Sequence, residues 1–139
     1  MGWRAVFGAL VAIIVATQVA RAQQPVPQPR ILIFGGLNHK EFLGCLNCSE
    51  MDSDSVWNDF SQYGWRNGFA TWNPFGPYKN PFGGESACNE FATDSPVLVD
   101  KGGRYYGRLS VNEMLPDGIC GAQGSPQVCR ALKVMCSDQ

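Results

Sequence analysis

The chain has a single histidine, His39, and is sparing with charge, Asp, Glu, Lys and Arg together making up 17%. One imidazole leaves no histidine cluster for a metal, and a Ser-His-Asp triad would have to be assembled on a turn residue. No charge of one sign accumulates: 11 basic residues stand against 12 acidic ones, a net charge of −1. The footprint of a nucleic-acid binder or of a protein drawn to anionic membranes is therefore missing. Phosphate-cradling glycine loops are missing too, since Gly35-Gly36 and Gly102-Gly103 fall where hairpins turn. Asp52-Ser53-Asp54 begins like a calcium loop, but the Gly and Glu of such a loop do not follow, and the pair reads as acidic residues at a helix start. No catalytic residue, cofactor or metal is expected. After residue 20 no apolar run approaches the roughly 20 residues of a membrane span. At 139 residues the chain has room for one domain.

What is present begins with a leader. Arg4 supplies a positive start, residues 6–20 are apolar but for Thr17 and Gln18, and Ala20-Arg21-Ala22 has the small-x-small form of a cleavage site. Only 16 residues separate Arg4 from Arg21, so residues 1–22 are expected to be a secretory signal peptide rather than an anchor. Cleavage there leaves 117 residues with 9 basic and 12 acidic side chains, exported to the periplasm or beyond. Residues 23–30 (QQPVPQPR) read as a Pro/Gln-rich extended tether, and residues 31–139 as a single disulfide-stapled domain.

Export sets the meaning of Cys45, Cys48, Cys88, Cys120, Cys129 and Cys136. An even set in an oxidising compartment reads as disulfides. Cys45 and Cys48 have a C-x-x-C spacing, but no second close pair and no H-x-x-x-H accompanies them for zinc. If all six pair, three in the body and three in the tail force an odd number of bridges between the two. Extended backbone would hold Cys45 and Cys48 about 10 Å apart at 3.3 Å per residue, which excludes that bridge, and one helix would separate Cys129 from Cys136 by a similar amount. The expected pairing is Cys48 with Cys88, Cys45 with a tail cysteine, and the remaining two with each other.

Residues 31–34 are a short β-branched run, a Gly/Asn turn follows, and residues 41–48 alternate. The plan recurs at 97–99, 100–103 and 104–112. At an offset of 63, Phe42-x-Gly44-x-Leu46-x-Cys48 overlies Tyr105-x-Gly107-x-Leu109-x-Val111, so two related hairpins are expected, with Gly44 and Gly107 at a bulge or close approach. Between them lies a shorter repeat: 55–64 (SVWNDFSQYG), 70–78 (ATWNPFGPY) and a degenerate copy at 86–91 (SACNEF). Trp57, Phe60 and Tyr63 stand at i, i+3, i+6, the spacing of one or two helical turns. Trp57, Trp72, Tyr63, Tyr78, Asn58 and Asn73 form a candidate binding surface for a sugar or cell-wall strand. The structural alternative buries Trp57, Trp72, Phe60, Phe75 and Phe91 in the core and leaves Asn58, Asn73 and Asn89 bonded to local backbone. It is preferred, because a small protein has few other large residues to fill its core.

Residues 55–64, 71–78 and 86–91, followed by the Pro-Val-Leu-Val-Asp turn and Tyr-Tyr-Gly-x-Leu-x-Val-Asn of 96–112, resemble a group of small exported bacterial proteins of uncharacterised function. Leu43-Gly44-Cys45-Leu46-Asn47-Cys48 is similar as well. The resemblance spans residues 42–112 and implies export, but neither an activity nor a catalytic residue. The tail lies outside it. There Ser125 and Pro126 open a helix over 127–136 whose apolar residues are Val128, Ala131, Leu132 and Met135, with Cys129, Leu132 and Cys136 along one side.

The fold class expected is a small, β-dominated α+β domain: two related hairpins, short helical turns between them and a disulfide-tied C-terminal helix. The function expected is binding or structural, in the cell envelope, with no nucleic-acid partner and no membrane span after leader removal. The alternative is a secreted cell-wall hydrolase or a carbohydrate-binding module attached to one.

Overall fold

The structure is a computed structural model describing residues 25–64 and 70–137, so the expected leader lies outside the described residues. Residues 25–30 have no regular structure, and 25–29 are exposed, as a tether requires. The apolar runs then form four strands: β1 (Leu32–Gly35), β2 (Glu41–Cys45), β3 (Val97–Val99) and β4 (Tyr105–Arg108). They make one antiparallel sheet in the order β2-β1-β3-β4, two hairpins joined back to back through Ile33 and Leu98. In each hairpin the register slips where a glycine faces the central residue, Gly44 opposite Ile33 and Gly107 opposite Leu98. Their φ values, 112° and 109°, are ones a side chain rarely adopts, and a Cβ at Gly107 would stand 2.6 Å from the Asp117 carbonyl oxygen.

The internal repeat runs further than its sequence suggests. Cys45 pairs in parallel with Ser55 and Arg108 with Gly118, each partner 63 positions on, 45 to 108 and 55 to 118. The turns at Ser49, Asp52, Ser55, Asn58 and Ser61 find their counterparts at Asn112, Leu115, Gly118, Gly121 and Gly124. Each half is thus a hairpin continued by a ribbon of turns.

That ribbon replaces the helical turns expected from the i, i+3, i+6 spacing. The carbonyls of Ser49, Asp52, Ser55, Asn58 and Ser61 accept the N–H groups of Asp52, Ser55, Asn58, Ser61 and Gly64 in turn. Only every third residue is so bonded, and a 3₁₀-helix, which needs the bond at each residue, never builds up. The linking residues of this stretch are Ser, Asn, Asp or Gly, and several of them pack on the carbonyl six residues back. Asn58 Nδ2 donates to Asp52 O, Asn89 Nδ2 to Gly83 O and Ser61 Oγ to Ser55 O. Where no side chain fits, glycine is required: a Cβ at Gly121 would lie 1.7 Å from the Leu115 carbonyl oxygen. The expectation that Asn58 and Asn89 bond local backbone holds.

The accompanying burial of the phenylalanines does not. Ile33, Leu43, Val56, Trp72, Tyr78, Ala87, Leu98, Leu109, Val111, Ile119 and Leu132 form the core. Phe60, Phe75 and Phe91 are between 80% and 98% exposed, and Trp57 is 39% exposed. Each of these phenylalanines sits two residues past Asn58, Asn73 or Asn89, whose Oδ1 accepts its N–H, so the turn is closed by backbone and amide and the ring stays in solvent.

The tail forms α1 (Pro126–Ser137), with Leu132 buried and Cys129, Met135 and Cys136 packed against the core. Ser125 Oγ accepts the Val128 N–H as an N-cap. The bridges are Cys45–Cys48, Cys88–Cys136 and Cys120–Cys129, a set that fits an oxidising compartment. The expected Cys48–Cys88 pairing is overturned. β2 stops at Cys45 and the chain bends, which brings Cys45 and Cys48 to a Cα separation of 5.5 Å instead of the extended distance. A single body-to-tail bridge, Cys88–Cys136, satisfies the parity expectation.

Candidate binding cleft

The Asn-led turns present exposed residues, whereas the turn led by Ser55 brings a tryptophan back over the ribbon. Ser55 Oγ accepts the Trp57 N–H, and the indole lies back across the ribbon, where its Nε1 donates to Leu46 O at 2.6 Å. Leu46 is inside the Cys45–Cys48 loop, so that disulfide fixes the carbonyl that holds Trp57. In the next copy, Trp72 reaches the core and stacks on Trp57, ring centroids 6.0 Å apart and planes inclined by 24°.

The two indoles wall a cleft of about 400 Å³, closed by Val56, Pro74 and Met135 of α1 and bordered by Glu50, Asp59 and the buried Lys79. An apolar floor with a few charged groups at its rim is the usual make-up of a small-molecule site. Trp72 Nε1 is buried with no hydrogen-bond partner among the described residues. Unsatisfied buried donors are uncommon and cost about 1–3 kcal/mol each.

The remaining residues of the expected surface are elsewhere. Tyr78 is buried, its phenol donating to Glu41, and burial followed by that bond raises its pKa well above the ordinary value. Tyr63 packs edge-on against Phe42 at 4.9 Å. Asn58 borders an adjoining cleft with Met51 and Phe60, but its amide is committed to backbone on both sides. Asn73 is buried and accepts the Phe75 N–H. Sequence reasoning thus found the tryptophans and missed Glu50, Lys79 and Met135, which only the packing of the ribbon and α1 assembles.

His39 is a hairpin residue. Its Nε2 lies 3.0 Å from the Ser95 carbonyl and 3.3 Å from an Asp94 carboxylate oxygen, while the Ser95 hydroxyl donates to Ser86 O. The carboxylates of Asp52 and Asp54 do not open a helix; both pair with Arg30. Among the described residues no group of three or more His, Cys, Asp or Glu is placed to hold a metal, and no helix is long and apolar enough to cross a membrane. No family model, curated protein or solved structure matches the chain.

Proposed function

We propose that the protein is exported and acts by binding a component of the cell envelope, with the Trp57–Trp72 cleft as its ligand site. The observation that carries this reading is the indole pair: one ring is partly open to solvent, and the other is buried with an unpartnered N–H. A sugar ring offers the matching chemistry. Its C–H face packs on an indole, and its hydroxyls can bond the charged groups of the rim. Export rests on the leader-like residues 1–22 and on the pairing of all six cysteines in disulfides. A Ser-His-Asp type of hydrolase would need a hydroxyl nucleophile beside the only imidazole, and the partners of His39 are a carbonyl and a carboxylate.

The test is a titration of the oxidised mature protein with soluble peptidoglycan fragments, followed by tryptophan fluorescence. Saturable quenching is expected, weakened at least 10-fold in Trp57→Ala, with the circular dichroism spectrum retained. Unchanged fluorescence with every fragment, or unchanged affinity in Trp57→Ala, overturns the reading.

A further inference from the structure

The Asn-led turns share a property that the fold does not require. Five asparagines, Asn58, Asn73, Asn80, Asn89 and Asn112, accept through Oδ1 the N–H two residues on. The residues so presented are Phe60, Phe75, Phe82, Phe91 and Met114, all at least 80% exposed. The turn uses only their backbone, and any polar residue would serve it. Each nonetheless is a large apolar side chain.

Some of these tips adjoin, in two separate groups. Phe82 and Phe91 line one cleft, and Phe91 and Met114 the next. Met51 and Phe60 share a third with Trp57. Four tips carry a carboxylate immediately before the apolar residue: Glu50-Met51, Asp59-Phe60, Glu90-Phe91 and Glu113-Met114. Glu50-Met51 and Glu113-Met114 are equivalent under the 63-residue repeat. The other identities between the equivalent stretches 41–62 and 104–125 have structural work: Gly44 and Gly107 form the bulges, Leu46 and Leu109 pack inward, and Asp54 and Asp117 hold arginines. The Glu-Met pair is the exposed feature both halves keep.

We infer that this row of turn tips is a docking surface for a polypeptide segment that carries basic and apolar residues together. Charge and area both select that occupant. Lysine or arginine pairs with carboxylates such as those of Glu50 and Glu90 and also sits favourably over phenylalanine rings. The adjoining Phe82 and Phe91, at roughly 150–250 Å² each, with Met114, supply on the order of half the 800 Å² that one partner contributes to a stable protein interface, an area suited to a short segment. The molecule already contains one contact of this kind. α1 seats on the ribbon with Lys133 paired to Glu113 and feeling the charge of Glu90, while Met135 enters the Trp72 cleft.

The experiment uses the full oxidised mature protein and fluorescein-labelled 12-residue peptides of alternating Lys and Leu, or of Glu and Leu. Anisotropy should report saturable binding of the Lys-Leu peptide, weakening as salt rises, and none of the Glu-Leu peptide. Phe82→Ser/Phe91→Ser/Met114→Ser, whose side chains are all exposed, should weaken Lys-Leu binding at least 10-fold while leaving the fluorescence response of the Trp57–Trp72 cleft unchanged. Equal binding of both peptides, no binding, or undiminished binding by the triple variant overturns the inference. So does a triple variant that loses peptidoglycan fragments instead, which would make the row a glycan surface. Because the varied residues stand apart from the tryptophan cleft, failure here and failure of the cleft reading give separate results.

Discussion

At Asn89 one side chain makes two bonds that the ribbon cannot replace, accepting the Phe91 N–H and donating to Gly83 O from a largely buried position. Asn89→Ala is expected to cost about 2–3 kcal/mol, since two backbone groups lose their partners. Phe91→Ser, two residues away and outward-facing, should stay within about 0.5 kcal/mol of the parent. Urea denaturation of both variants checks the contrast; a larger loss in Phe91→Ser would restore the phenylalanine to the core. Glycines divide by the same logic. Gly107→Ala combines φ of +109° with a carbonyl oxygen 2.6 Å from the new Cβ, and at least about 2 kcal/mol should be lost. Nothing lies within 4 Å of a Cβ at Gly84, and Gly84→Ala should be nearly neutral. Thermal melts of the pair decide it.

Among the elements, β4 carries the chain's clearest pH dependence. The Tyr105 hydroxyl donates to the Asp117 carboxylate at 2.7 Å, and Arg108 Nε donates to the same oxygen. The Tyr105 bond, then Arg108, hold Asp117 below the usual carboxylate range. Burial, and then the bond to Asp117, push Tyr105 up to about 12. The two shifts act at opposite ends of the scale. A depressed carboxylate contributes stability above its unfolded pKa of about 4, and loses it as pH falls through the folded value. A raised phenol contributes below about 10 and loses it between there and about 12. Tyr105→Phe should therefore flatten both limbs of a stability–pH curve measured by urea midpoint, and an unchanged acid limb would detach Asp117 from this role. Elements also differ in how far their sequence announces them. The hairpins and α1 were legible because strand alternation, glycine turns and a Ser-Pro helix start act between neighbours. The ribbon was not, since its three-residue period imitates the spacing of a helical turn; what separates the two is whether every residue or every third one donates.

For the whole molecule the disulfides differ in reach. Cys88–Cys136 spans 48 residues and joins ribbon to α1, whereas Cys45–Cys48 spans 3. By loop entropy, Cys88→Ser/Cys136→Ser should lose about 4 kcal/mol and Cys45→Ser/Cys48→Ser about 2 kcal/mol, read by denaturant unfolding. The smaller staple should instead show in the cleft: without it the Leu46 carbonyl is freed and Trp57 fluorescence should shift, while the larger staple's variant keeps that carbonyl in place.

The hairpins, the bulge glycines, the capped tail helix and the need for at least one bridge between body and tail were legible in the chain alone, because periodicity, turn chemistry and parity are local or arithmetical. Which cysteines meet, that the phenylalanines face solvent, and that Glu50, Lys79 and Met135 gather around Trp57 and Trp72 emerge from three-dimensional packing alone. Those outcomes depend on where β2 stops and how successive turns stack. Both are set by carbonyls six residues back and by a helix tens of residues away, distances over which a pattern of neighbours carries no signal.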